Sequence, residues 1–263
     1  MLTTTPSNRP LSSPVSGLRR HLLRLVVAVV MVAGWEMAAR IGWIDPFFFS
    51  SPSQIAGVLA QQFGRGTIWK HLLVTFQEAT WGLVLGFFAG AVLAWIAARS
   101  ALIADLIEPV LLLLNAVPRI VLAPMFVMWL GLGVSSKIAV SFFLVFVVIF
   151  FAVYSGIREV DYSLVERMVV LGGSWWDMLR EVYIPSVATW VFSSLRVAVG
   201  FAFTGAIVGE FVGSSAGLGY LMNFATGSQN ASLLMATVTL IMIFIAALFA
   251  VLERVETRLM AWK

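Results

Sequence analysis

Residues able to make or break covalent bonds are scarce in this chain. It has no cysteine and only two histidines, His21 and His71, far apart in the sequence. The sequence therefore offers no thiol nucleophile, no disulfide framework and no metal-ligand spacing. A phosphate-cradling Gly-x-x-x-x-Gly-Lys-[Ser/Thr] loop is missing as well. The nearest approach, 131–137, has Ser136 where the second glycine is required. No residue is read as catalytic, and the chain is not expected to hydrolyse ATP itself. The polar residues that stand out are of two other kinds. Arg119 and Glu210 are charges set inside apolar runs, and Glu166, Gly172, Trp175, Trp176, Asp177 and Pro185 lie in a charged stretch between such runs.

A charge at the centre of a membrane-spanning helix costs roughly 2.5–3.5 kcal/mol on insertion scales, so it normally faces a bundle interior or a watery path. Arg119 follows Pro118 in an interrupted run. It would either satisfy carbonyls freed by the break or attract an anionic solute. Glu210 sits near one end of its run, where snorkelling to the interface competes with a place in a translocation pathway.

The surroundings of these residues are those of an all-α integral membrane protein. Of 263 residues, 60% are hydrophobic and 11% charged, against about half and about a quarter in soluble domains. Mean hydropathy is +0.97. A helix needs about 20 apolar residues to cross a bilayer core of ~30 Å. About six segments qualify: 22–41, 72–98, 107–130 (interrupted at Pro118 and Arg119), 138–154, 187–211 and 233–252. Residues 1–20 read as a tail rich in Ser, Thr and Pro, without periodicity, and 21–263 as a single transmembrane domain. Basic residues then choose the orientation. With both termini in the cytoplasm, Arg19, Arg20, Arg24, Arg99, Arg158, Arg167, Arg180, Arg196, Arg254, Arg258 and Lys263 lie inside, and Arg40, Arg65, Lys70 and Lys137 outside. That bias accounts for a pI near 9.9 with no nucleic-acid partner. Small residues recur every fourth position at Gly82, Gly86, Gly90, Ala94 and Ala98, and again at Gly205, Gly209 and Gly213. Such seams let helix backbones approach closely in lipid, within one bundle or between subunits.

The stretch 155–185 does not suit lipid. It holds eight charges, Arg158, Glu159, Asp161, Glu166, Arg167, Asp177, Arg180 and Glu181, and is longer than a simple connection requires. Ser163 with Glu166, and Ser174 with Asp177, have the spacing of capping boxes that start helices. Gly172 and Gly173 would end the first helix, because glycine takes the left-handed cap conformation freely. Pro185 marks a break or the first turn of the next helix. The expectation is a helix–turn–helix on the cytoplasmic face. Its tryptophans would lie at headgroup level or serve as knobs for a partner's groove.

The run from Glu166 to Gly172, continuing to Val182-Tyr-Ile-Pro185, resembles the EAA loop of bacterial ABC importer permeases. The acid, the glycine and the terminal proline are in place, and the two small residues after the acid are replaced by Arg167 and Met168. Asn115-Ala-Val-Pro-Arg119, Ala123-Pro124, Trp129-Leu-Gly131, Gly209-Glu210-Phe-Val-Gly213 and Gly217-Leu-Gly219-Tyr220 are similar to permeases of the nitrate, sulfonate and taurine group. The likeness covers roughly 71–253. It implies a permease homodimer in the bacterial cytoplasmic (inner) membrane, cytoplasmic ABC ATPase subunits that hold ATP and Mg, and a periplasmic substrate-binding protein. The loop 155–185 would couple the ATPases to the pathway, and Arg119 and Glu210 are its candidate lining residues. Two readings compete: a secondary transporter driven by an ion gradient, for which only one strong acid lies deep in the spans, and a membrane-embedded enzyme.

Overall fold

A computed structural model describes residues 17–259; the side chains at a few positions, Arg119 among them, lie outside the description. The described residues form helices and no strand. In chain order they are α1 (Gly17–Arg40), α2 (Pro46–Phe49), α3 (Pro52–Gly64), α4 (Thr67–Arg99), α5 (Ala101–Ala116) and α6 (Arg119–Leu130), followed by α7 (Val134–Arg158), α8 (Tyr162–Val170), α9 (Trp175–Met178), α10 (Ile184–Val212), α11 (Leu218–Gly227) and α12 (Ala231–Leu259). Of the tail expected over 1–20, residues 1–16 lie outside the described residues, and 17–20 already belong to the first turn of α1.

Among the described residues, five helices are long and apolar enough to cross a membrane, and the α5–α6 pair makes a sixth span if its two limbs count as one. That pair is bent by 105°. Pro118 explains the break: Val117 before it is extended (φ −66°, ψ 128°), because the proline ring disfavours the helical conformation in the residue ahead of it. The third span is thus two short helices rather than one crossing with a flaw.

The bundle is centred on α7, whose span is 56% buried, against 6% for α1. The small-residue seams explain why α7 is central. A Cβ at Gly86 would stand 2.7 Å from the carbonyl oxygen of Phe142, one at Gly90 2.7 Å from that of Phe146, and one at Gly205 2.6 Å from the Cα of Ser141. Backbone therefore meets backbone on both sides of α7, and only glycine permits it. Both seams are used inside one chain. Around this sandwich a core of Val145, Ile149, Phe150, Ala198, Ala202 and Phe203 is fully or almost fully buried.

Among the described residues, a polar clamp ties α1 to α3. Glu36 accepts from the Ser53 amide (3.0 Å), the Ser53 hydroxyl (2.9 Å) and Arg40 Nε (2.7 Å). Its other side chains are mostly exposed, as expected for a helix facing hydrocarbon. α2, α3 and α11 are short and cluster at the end of the bundle opposite Arg99 and Arg158. The end that carries those arginines is called the basic end below.

Candidate functional site: a hairpin at the basic end and a buried polar lock at the other

The charged stretch folds as a helical hairpin. α8 begins at Asp161, whose Oδ1 accepts from the Ser163 amide at 2.9 Å. The amide and hydroxyl of Ser163 hold the Asp161 carboxyl below its ordinary pKa, since both favour the charged form. The box expected between Ser163 and Glu166 is therefore absent, because Asp161 takes the cap two residues earlier. Glu166 is left exposed, and it makes no ion pair among the described residues. A groove of about 420 Å³ runs past Ser163, Glu166, Arg167, Val170 and Leu171.

α8 ends in a Schellman turn. Gly172 has φ +73°. Its amide donates to the Val169 carbonyl, and that of Gly173 to the Met168 carbonyl, both at 3.0 Å, which is the paired pattern of that motif. Met168, one of the two departures from the family pattern, folds its thioether over Gly173, where a Cβ would come within 2.5 Å of the sulfur. Arg167, the other, is exposed.

α9 opens with the capping box expected of Ser174 and Asp177. Asp177 Oδ2 accepts from the Ser174 amide (2.8 Å) and hydroxyl (2.6 Å), and Ser174 Oγ accepts from the Asp177 amide (3.3 Å). Asp177 thus positions the helix. The two tryptophans part company. Trp175 stacks at the foot of α4, with the Arg99 guanidinium 4.0 Å from its ring centre and Trp95 and Tyr183 at 6.1 and 6.2 Å. Trp176 is 74% exposed, and Val170 and Leu171 at the turn are 86% and 81% exposed. Pro185 does not break the chain. It sits in the first turn of α10, and α9 runs into α10 through a π-turn in which the Ile184 amide reaches the Leu179 carbonyl. Proline lacks the amide that would bond Glu181, and the wider turn absorbs that loss.

At the opposite end a polar network is buried where the sequence pattern predicts a single deep acid. Glu78, Lys137, Thr75 and Glu210 are each 1% exposed. Glu210 does not snorkel. Its Oε1 accepts from the Thr75 hydroxyl (2.6 Å) and its Oε2 from the Gly219 amide (2.7 Å). Thr75 Oγ1 in turn accepts from the Leu218 amide (2.9 Å), and His71 Nδ1 from the Gly217 amide (3.0 Å). The His71 ring lies parallel to Tyr220, centroids 5.8 Å apart. Three successive amides of one loop are thereby held by side chains of α4 and α10. Glycine is required there: a Cβ at Gly217, where φ is +109°, would overlap the Glu210 carboxyl, and one at Gly219 would stand 2.2 Å from the Ile207 carbonyl oxygen.

Lys137 Nζ donates to the carbonyls of Leu132 (2.5 Å) and Gly133 (3.0 Å). Glu78 faces both Glu210 and Lys137, and its Oε2 and the Ser141 hydroxyl find no protein partner. Glu78 was legible in principle. It stands four residues before Gly82, and His71 and Thr75 lie on the same side of α4, so the seam's own periodicity carries these polar groups onto the packing face. A cavity of about 540 Å³ beside Glu210 is lined by Ser214, Tyr220, Asn223 and Phe224, and the Asn223 amide donates to the Phe211 carbonyl. Arg119 opens α6; its side chain lies outside the described residues.

Residues 82–260 match the family model described as binding-protein-dependent transport system inner membrane component. A probable ABC transporter permease protein of Haemophilus influenzae is 33% identical over 84% of this chain and 90% of its own length. The riboflavin transport system permease protein RibX of Chloroflexus aurantiacus is 30% identical over 89% of this chain and 88% of its own length, and the taurine transport system permease protein TauC of Escherichia coli is 23% identical over 93% of this chain and 90% of its own length.

 

Among solved structures, a chain of the inward-facing MetNI methionine ABC transporter superposes with a TM-score of 0.59 at 19% identity, covering 73% of this chain and 93% of that one. This last likeness concerns the fold alone. The family match extends from the first glycine seam through the hairpin and Glu210 to the end of α12, and with it the chain belongs to the binding-protein-dependent inner membrane components, the permease subunits of ABC importers.

Proposed function

We propose that this chain lines the path of a small solute handed over by a periplasmic binding protein, and that the α8–α9 hairpin docks on a cytoplasmic ABC ATPase. The proposal includes a permease homodimer, cytoplasmic termini and a single permease domain over 21–263. The observation that carries it is the tip of the hairpin. Val170, Leu171 and Trp176 stand 86%, 81% and 74% exposed on a turn held rigid by the Schellman bonds of Gly172 and Gly173. Apolar knobs on a stiff support outside the spans suit a protein groove. Trp175, packed against α4, would pass movement of the tip to the bundle, and the continuous α9–α10 run would pass it along the span.

The solute is proposed to be nitrate-, sulfonate- or taurine-like, or a related small organic compound. Relatives named for riboflavin and for taurine support this breadth. The gradient-driven and enzymatic readings are set aside by the family match. The test is to co-purify the chain with the ATPase encoded beside it and to measure ATP hydrolysis with and without Gly172→Pro. Retention of the ATPase by the wild type and uncoupling in the variant are expected. A wild-type chain that retains no ATPase and transports without ATP would sink the proposal.

A further inference from the structure

A groove of about 340 Å³ opens between α4, α7 and α10 at the basic end. Phe87, Trp95, Val153, Tyr183, Val187 and Val191 are among its walls, and no charged side chain lines it. Along α4 it runs from Phe87 to Trp95, a rise of about 12 Å at 1.5 Å per residue. Half of a ~30 Å hydrocarbon core is about 15 Å, so the groove has the depth of one leaflet. Trp95, Trp175 and Tyr183 gather at its mouth, the residue types that favour headgroup level. One turn beyond Trp95, Arg99 is exposed, its guanidinium 5.2 Å from the Trp95 ring centre and 4.0 Å from that of Trp175. It makes no salt bridge among the described residues. The rings fix a cation in place while leaving its charge without an anion.

We infer that this groove is a binding site for an anionic phospholipid, with an acyl chain between α4, α7 and α10 and the headgroup phosphate on Arg99. The walls belong to spanning helices, at a depth a soluble partner does not reach. The cation at the mouth gives the groove a charge preference that an acyl chain alone lacks. Because Trp175 belongs to the hairpin and Trp95 to the bundle, a phosphate on Arg99 would sit at the joint between them.

The test uses the full chain in mild detergent, with phosphatidylglycerol and phosphatidylcholine added at equal concentration and bound lipid counted by native mass spectrometry. The wild type should retain phosphatidylglycerol preferentially. Arg99→Gln should lower its retention about fivefold, the worth of one arginine beside anionic lipid, and leave phosphatidylcholine unchanged. Ala188→Phe, which fills the groove, should lower both. Equal retention of the two lipids by wild type and Arg99→Gln overturns the inference. So does loss of ATPase binding in Arg99→Gln with lipid retention unchanged, which would make Arg99 a protein contact. The chain has no cysteine, so an Ala188→Cys variant that forms a disulfide-linked dimer in membranes would assign the groove to a second copy and overturn the lipid site. The lipid-retention and cross-linking readouts do not depend on whether the hairpin docks an ATPase.

Discussion

Glu210 spends its two carboxylate oxygens on different elements, one on Thr75 in α4 and one on the Gly219 amide at the start of α11. Truncation therefore leaves a buried hydroxyl and a buried amide to find other partners, at about 1–3 kcal/mol for each group left unsatisfied. Glu210→Ala is expected to lower the melting temperature of the detergent-solubilised chain markedly, whereas Glu166→Ala, at an exposed position, should leave it unchanged. Equal melting of the two variants would mean the lock contributes nothing to stability. Gly205→Val is expected to be worse than either, because its Cβ would meet the α7 backbone at 2.6 Å, which no side-chain rotation relieves.

The hairpin depends on two local devices. Gly172→Ala keeps the amide but places a Cβ in the left-handed region, at about 1–2 kcal/mol. Gly172→Pro also loses the bond to Val169 and forbids the observed φ. Coupled ATP hydrolysis should thus fall in the order wild type, alanine, proline, and an alanine variant as impaired as the proline one would point to a role for Gly172 other than the turn. Ser174→Ala removes a cap worth about 1 kcal/mol. Local opening of α9 should rise about fivefold, read as faster proteolysis of the hairpin in inside-out vesicles. An unchanged rate would show that α9 is held by Trp175 alone.

At the scale of the whole molecule, the described helices are built around a three-helix sandwich of α4, α7 and α10, with the polar lock at one end and the hairpin at the other. Its placement in the membrane rests on the arginines of the basic end, and single cysteines test it cleanly in a chain that has none. Gln61→Cys, exposed on α3, should react with an impermeant maleimide from the periplasmic side. Tyr162→Cys, at a position 71% exposed, should react only after the cytoplasmic face is opened. The reverse pattern would invert the topology and move the hairpin away from any cytoplasmic ATPase.

Composition and hydropathy, with no structure at all, determined that lipid is the solvent and that about six segments can span it. Periodicity placed the glycine seams, and local capping chemistry found the turn at Gly172 and the box at Ser174 and Asp177. These succeed because helix length, seam spacing and caps each depend on residues within a turn or two of one another. The competition for the start of α8 went to Asp161, since two local caps were available and only the folded backbone chose between them. Tertiary structure alone decided the rest. Thr75 and Glu210, and Thr75 and Leu218, are 135 and 143 residues apart, and nothing local announces such pairings. The seams could serve one bundle or two subunits until α7 was seen between them. Trp175 and Trp176 are adjacent and alike in sequence, yet one lies against the foot of α4 and is 43% exposed while the other stands 74% exposed, because a helix turns by about 100° between neighbours.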